Sequence, residues 1–348
     1  MKKLTRRLLG GAGAAALTTL LSTGASFAQD VTLKLHHFLP IQANIPKNVL
    51  EPWAEKIEAE SEGRIRIERF YGMALGGRPP ELMDQVLDGV TDIAFTVTGY
   101  TPGRFPRSEA FELPFMMTNA EATSRAYWDY AEKNMFDTDF KDYKILAVWV
   151  HGPGLIHSND PIKVPGDLNG VKLRSPTRVT NMMFTELGAT SVGMPVPAVP
   201  EALSKGVIDA TVIPWEVTGA LKVPELVSNH TEFGDASLYT TTFVHALNKD
   251  VWDSIPEDLQ KIIMDNSGAD FSAFGGGQMQ RDDAPGRAAA EELGNNIMAL
   301  SDEEVQQWRD AASGVEAAWI ADLEGKGIDG AALVQEAKDL IAKYTSMQ

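Results

Sequence analysis

The chain has 348 residues, no cysteine, 44% hydrophobic and 23% charged residues, and a formal net charge of −17. That apolar share excludes a disordered chain, and the acidic balance repels nucleic acid and anionic lipid, so neither is an expected partner. Lack of cysteine excludes disulfides, a thiol nucleophile and an acylated-cysteine anchor.

The first residues read as an export signal. Lys2, Lys3, Arg6 and Arg7 precede an apolar run from Leu8 to Leu21, and small residues end at Ser26-Phe27-Ala28. The run is shorter than the roughly 20 residues of a membrane-spanning helix. Cleavage near Ala28 and a periplasmic protein without membrane insertion are therefore expected. Thr5-Arg6-Arg7-Leu8-Leu9 is similar to a twin-arginine signal, an export route that stays open beside the general one.

Val31, Leu33 and Leu35 alternate with polar residues, the period of a strand. Ile45, Val49, Trp53 and Ile57 recur at helical spacing, and Gly63 stops that helix. Arg64–Ile67 is the next strand, Pro79-Pro80 opens a helix running to Asp88, and Asp92–Val97 is an apolar strand of the buried, parallel kind. This is a β-α-β-α-β order, in which ligands bind beyond the carboxyl ends of strands. The loops in question are His36-His37-Phe38-Leu39-Pro40, Tyr71-Gly72 and Thr98-Gly99-Tyr100.

The second half repeats the plan. Strands are predicted over Lys144–Val150, Val171–Leu173 and Ile208–Ile213, with a helix over Thr180–Leu187. Gly89-Val90-Thr91-Asp92 and Gly206-Val207-Ile208-Asp209 each close a helix and open a strand, the glycine taking a left-handed stop. Leu238–Leu247, rich in β-branched residues, reads as a long strand joining two lobes. Beyond Pro256 the pattern is helical to the end, with a Ser301/Glu304 capping box before Val305, Trp308, Ala312, Val315, Trp319 and Leu323.

The expected fold is α/β: a two-lobed, periplasmic-binding-protein-like clamshell with interleaved lobes, a shared long strand and bracing C-terminal helices. The boundaries are a signal over 1–28, lobe 1 from 29–152 plus about 241–275, lobe 2 from about 153–240 plus 276–330, and a C-terminal helix over 331–348.

Four segments then carry a family resemblance: Leu75-Gly76-Gly77 before the Glu81-to-Gly89 helix, Phe111-Glu112-Leu113-Pro114-Phe115, the run from Pro165 to Pro176, and Pro200-Glu201-Ala202-Leu203 leading into Gly206-Val207-Ile208-Asp209. In order and spacing the mature chain resembles the solute-binding proteins of tripartite ATP-independent periplasmic (TRAP) transporters. The resemblance implies a receptor that closes on a small organic acid and delivers it to membrane permease subunits, without catalytic residues or cofactor. It also implies that Arg174, at a strand end before Ser175-Pro176, clamps the ligand carboxylate. A guanidinium suits that role, because it offers two parallel donors and stays charged when desolvated.

Many members of that family carry an asparagine where Ile213 stands here, followed by Pro214 and Trp215. Loss of an amide beside a gained indole points to a ligand with an apolar body, an aromatic or hydrophobic monocarboxylate. Phe38, Tyr100, Trp149, Trp215 and Tyr239, at or near predicted strand ends, are candidates for an aromatic cleft. Arg178 and Asn181 are further polar candidates, and His37 and His151 candidate hydrogen-bonding partners of a hydroxyl or carboxylate. No metal site is expected, since adjacent His36 and His37 point to opposite faces of a strand and no metal-binding spacing accompanies them.

Motifs of enzymes are lacking: there is no Gly-x-Ser-x-Gly, no His-Glu-x-x-His and no phosphate-binding Gly-x-x-x-x-Gly-Lys, and Gly275-Gly276-Gly277 has no strand before it. Two alternatives stay open: a receptor for an ATP-driven importer, and an exported hydrolase with dispersed carboxylates.

Overall fold

The computed structural model describes residues 30–348, so the segment read as an export signal lies outside the described residues. Two sheets form the cores of two lobes. The first has strand order β2-β1-β3-β10-β4, from β1 (Val31–His37), β2 (Ile65–Phe70), β3 (Ile93–Val97), β4 (Tyr143–Val150) and β10 (Thr242–Asn248). The second, β11-β9-β5-β8-β6-β7, is built from β5 (Leu155–Ser158), β6 (Lys172–Ser175), β7 (Thr190–Gly193), β8 (Ala210–Ile213), β9 (Asn229–Glu232) and β11 (Asn296–Ala299).

Read from opposite ends, the two orders coincide. In each sheet the first strand of a half lies parallel between its second and third, as β1 between β2 and β3 and β6 between β7 and β8. A strand from the other half of the chain, β10 or β5, then pairs antiparallel beside the third. The chain thus crosses between lobes three times, and the lobes are interleaved.

The repeated Gly-Val-x-Asp motif does the same work in both halves. Gly89 and Gly206 end the helices Leu82–Leu87 and Val199–Ser204 with φ of +71° and +66°, which a side chain would strain. Three residues on, the Asp92 carboxylate accepts from the Lys34 amide at 2.7 Å while the Asp92 amide donates to the Lys34 carbonyl at 3.1 Å. Asp209 makes the equivalent pair with Lys172, at 3.0 and 2.8 Å. Each aspartate thereby fixes the register of the third strand against the first.

Most predicted elements are present within a residue or two. The helix expected from Ile45 starts with a π turn, Pro46–Leu50, leading into Glu51–Glu60. The Ser301/Glu304 capping box forms, and Val305, Trp308, Ala312, Val315, Trp319 and Leu323 are all buried. Each fully buried large apolar side chain of this kind contributes about 1.5–3 kcal/mol.

Three differences stand out. The strand expected over Leu238–Leu247 begins only at Thr242, because the preceding backbone is held across the crossing: Phe115 donates to the Leu238 carbonyl, Gly154 to that of Tyr239, and the Thr241 amide to His151. β11 interrupts the stretch expected to be wholly helical, drawn into strand form by parallel pairing with β9. The helix Ala120–Asn134 and the strands β5, β7 and β9 have no counterpart among the elements expected from sequence. β9, Asn-His-Thr-Glu, has no apolar signal although its first three residues are buried.

The late helices brace both lobes. Gly268–Arg281 packs on Ala120–Asn134 and β4, and Gly330–Thr345 packs on Ala120–Asn134, while Asp283–Glu292 packs on Trp215–Leu221. The first contact needs glycine, since a Cβ on Gly276 would sit 2.0 Å from Ser124 Oγ and 2.6 Å from the Ala120 carbonyl oxygen. Among the described residues no helix is long and apolar enough to cross a membrane.

Candidate ligand-binding cleft

The carboxyl ends of β1, β3, β6 and β8, equivalent positions in the two halves, converge on one cleft. Phe38 and Leu39 follow β1, Val97 and Tyr100 come with β3, Arg174 and Pro176 with β6, and Ile213, Pro214 and Glu216 with β8. The crossing segments add His151, Tyr239, Thr241 and Phe243, and Ile45, Val196, Val217 and Met279 complete the wall. Parallel strands end where their loops leave the sheet, so two such sheets facing each other enclose the ligand position between four loops.

Arg174 dominates the electrostatics. The residue is 1% exposed, its Nε donates to the Met194 carbonyl and its Nη1 to the Val212 carbonyl, both at 2.9 Å. Those bonds fix the plane of the guanidinium but leave its charge unmatched: burial pushes its pKa down, offset only in part by the Tyr100 and Tyr239 phenols beside it. Among the described residues no carboxylate forms an ion pair with it, unlike Arg178, Arg107 or Arg69. A buried guanidinium of this kind calls for an anion.

Two phenols frame that position. The Tyr100 hydroxyl accepts from the Val196 amide at 2.9 Å, which leaves its own proton to donate. Burial raises the pKa of both Tyr100 and Tyr239, so each phenol is neutral and a donor. The Tyr239 ring fits only because residue 154 is glycine, where a Cβ would lie 2.1 Å from the ring. Phe38 packs edge-on to Tyr100 at 5.5 Å and stacks on Phe95 at 6.0 Å.

Of the residues singled out from sequence, Phe38, Tyr100, His151, Arg174, Ile213 and Tyr239 line the cleft. His151 is there, but without a free nitrogen: Nδ1 donates to the Gly152 carbonyl at 2.5 Å and Nε2 accepts from the Thr241 amide at 3.0 Å. Burial, offset in part by the Gly152 bond, lowers its pKa to about 4, so it presents a neutral ring. The expectation that it hydrogen-bonds a ligand is corrected accordingly.

The remaining candidates lie elsewhere. His37 is buried behind the β1 turn, where its Nδ1 accepts from the Leu39 amide at 3.2 Å and shapes the loop carrying Phe38. Trp149 stacks on Phe95 at 5.0 Å and stands opposite Phe243 in the sheet, one layer behind the cleft wall. Trp215, the residue on which the aromatic expectation leaned, turns away between His157 and His230 and donates to Glu232 at 2.9 Å. Its position at the start of a helix, right after Pro214, sends the indole under the sheet and leaves Glu216 to face the cleft. Arg178 bridges to Glu109 and Asp322, and Asn181 donates to Ser191 at 3.0 Å, both lining an adjoining opening that shares Tyr100 and Pro176.

Sequence reasoning missed Thr241, Phe243, Glu216 and Met279. The first two lay inside the predicted Leu238–Leu247 strand and were passed over as sheet residues; Glu216 and Met279 carried no signal, since only packing brings their helices to the cleft. Among the described residues no group of His, Asp and Glu is arranged to hold a metal ion.

A buried, unpaired arginine between two interleaved lobes narrows the class, and comparison decides it. Residues 36–322 match the model of the DctP family, the bacterial extracellular solute-binding proteins of family 7. The chain belongs to this family. TRAP solute-binding proteins are periplasmic receptors that take up small carboxylates and deliver them to membrane permease subunits. Among solved relatives, a TRAP solute-binding protein from Rhodoferax ferrireducens T118, in complex with copurified benzoate, is 49% identical, with a TM-score of 0.89 over 91% of this chain and 99% of that one. One from a marine metagenome, described as specific for aromatic acid ligands and in complex with 3-hydroxybenzoate, is 48% identical with a TM-score of 0.89 over the same shares. A curated relative, the outer membrane transporter protein TsaT of Comamonas testosteroni, is 29% identical over 90% of this chain and 92% of its own length. The C4-dicarboxylate-binding periplasmic protein DctP of Rhodobacter capsulatus is 26% identical over 91% of each.

Proposed function

We propose that this TRAP receptor captures an aromatic or otherwise hydrophobic monocarboxylate and passes it on chemically unchanged. The observation that carries the reading is Arg174: a buried guanidinium with no carboxylate partner among the described residues, at the wall of a cleft lined mostly by Phe38, Tyr100, Tyr239, Phe243 and aliphatic side chains. A ligand carboxylate supplies the missing charge and accepts from the guanidinium and the Tyr100 hydroxyl, while its body is buried against rings. One carboxylate matches one arginine; a dicarboxylate would bury a second charge against Ile213 and Val217 at high cost. The likeness to receptors found with benzoate and 3-hydroxybenzoate, at 48–49% identity, supports the same reading.

In this reading Phe38, Ile213 and Tyr239 form the apolar contacts, the boundaries of lobes 1 and 2 mark two bodies that close on the ligand, and the signal is removed near Ala28. Differential affinity for the closed arrangement drives closure.

The test is thermal unfolding of the exported, mature protein after denaturation and refolding to strip bound ligand, against benzoate, aliphatic monocarboxylates, dicarboxylates and sugar acids. Ligands that bind only the folded state raise the midpoint. Benzoate-like acids are expected to give the largest shift and to be recovered intact by chromatography; a larger shift with dicarboxylates, or conversion of the acid, overturns the reading. The mass of the exported protein checks the cleavage point.

A further inference from the structure

A second polar group lies in the cleft, and the carboxylate-binding end does not use it. Glu216, in the first turn of the helix Trp215–Leu221, lines the cleft and is 5% exposed. Its backbone is fully engaged, the amide donating to Asp283 Oδ1 at 2.9 Å and the carbonyl accepting from Asn44 Nδ2 at 2.7 Å. Its side chain is not: Oε2 is buried without any hydrogen-bond partner. Buried polar atoms are nearly always satisfied, so an orphaned carboxyl oxygen at the wall of a binding cleft points to a partner brought by the ligand.

The chemistry of that partner follows from the surroundings. Burial first, then Asp283 and Asp282, push the Glu216 carboxyl well above the ordinary range, which favours its protonated form. A neutral carboxyl both donates and accepts, and suits a hydroxyl, which does the same. It does not suit a second carboxylate, which the neighbouring Asp282 and Asp283 repel. Arg174 comes from the end of β6 and Glu216 from the helix that follows β8, and the charged neighbours of Glu216 are the two aspartates, not Arg174.

We propose that Glu216 is a specificity-determining residue that selects aromatic monocarboxylates bearing a hydroxyl on the ring, away from the carboxylate held by Arg174. This rests on the reading of the cleft as an aromatic-acid site. The carboxylate end supplies the charge pairing common to all such ligands, and the Glu216 end discriminates among them by satisfying, or leaving orphaned, one buried oxygen.

The experiment is calorimetric titration of the ligand-stripped mature protein with benzoate, 3-hydroxybenzoate, 4-hydroxybenzoate and the cationic analogue 3-(aminomethyl)benzoate, for the wild type, Glu216→Leu and Glu216→Gln. The expected result is that the better hydroxybenzoate binds about tenfold or more tightly than benzoate to the wild type. That ratio should fall towards one in Glu216→Leu and survive in Glu216→Gln, whose amide also donates and accepts. Because the readout is a ratio within each variant, a general loss of stability does not mimic it, and circular dichroism checks that each variant is folded. An unchanged ratio in Glu216→Leu overturns the proposal, as does a wild type that prefers the cationic analogue. Binding of benzoate without any hydroxyl preference overturns the Glu216 assignment alone; failure of every aromatic acid to bind overturns the aromatic-acid reading with it.

Discussion

The two halves of the molecule share a backbone plan and differ where strands end. Both place a parallel strand between its two successors, both stop a helix with a glycine at positive φ, and both pin the next strand with an aspartate on a neighbouring amide. Yet the end of β1 carries Phe38 while its counterpart β6 ends in Arg174, and β3 leads to Tyr100 while β8 leads to Ile213 and Glu216. The first half supplies mostly rings; the second supplies the cation and the orphaned carboxyl. A repeated scaffold thus keeps its turn chemistry, which the fold requires, and diverges at loops, which only the ligand constrains.

The sharpest way to break this division of labour is Arg174→Ala. It should cost about 2–5 kcal/mol of ligand binding, because the carboxylate would be buried without its partner. Arg174→Lys should recover only part of this, since an ammonium lacks the planar fork. Calorimetry with benzoate measures both, and an affinity within threefold of wild type would remove Arg174 from the site.

Gly276→Ala probes the packing of a late helix on the first lobe. The new Cβ meets the Ala120 carbonyl as well as Ser124, so a loss of about 1–3 kcal/mol in stability is expected by urea unfolding. No loss would mean that the helix Gly268–Arg281 shifts freely against its neighbour.

Smaller effects test the equivalence of the halves. Asp92→Ala and Asp209→Ala should each destabilise by about 1 kcal/mol, each removing a solvent-exposed hydrogen bond to a strand amide. A large inequality would show that the motif is a repeat in form but not in energetics. Arg178→Ala should weaken ligand binding by under about 1 kcal/mol, since its bridge to Glu109 joins the lobes but does not touch the cleft described above.

The pH dependence separates two buried groups near the crossing. Burial raises Glu112 from 4.5 to about 7, so its contribution to stability is complete below pH 4.5 and is lost as pH rises through 7. Burial lowers His151 from 6.5 to about 4, so its contribution is complete above pH 6.5 and is lost as pH falls through 4. Melting curves of Glu112→Gln should therefore gain on the wild type as pH is raised from 4.5 to 7.5. A difference that does not change with pH would place Glu112 outside this linkage.

Much of the site was legible because arginine, glycine and aspartate carry signals that burial does not alter. The Gly-Val-x-Asp repeat foretold two equivalent units, and the family resemblance around Arg174-Ser175-Pro176 foretold a side chain at the cleft. The aromatic residues were less legible. Trp149 and Trp215 sit at strand ends as surely as Tyr100 does, but the side of the sheet a ring faces depends on one residue of register or on the first turn of a helix. Trp215 was expected to give the cleft its apolar character; Phe243, Val217 and Met279 do so instead, and the expected ligand class stands on their packing and on Arg174.

By itself the sequence determined the periodic strands and helices, the glycine stops and aspartate pins of the two halves, and an arginine at the end of β6, since each depends on residues close in the chain. The tertiary structure decided which strand crosses into which sheet, that Asn229–Glu232 and Asn296–Ala299 pair as strands despite weak local signals, and that Glu216 faces the cleft while Trp215 does not. Those outcomes come from pairing and burial between segments far apart in sequence, where a hydrogen-bonded partner or a desolvated face outweighs the roughly 1 kcal/mol differences in local propensity.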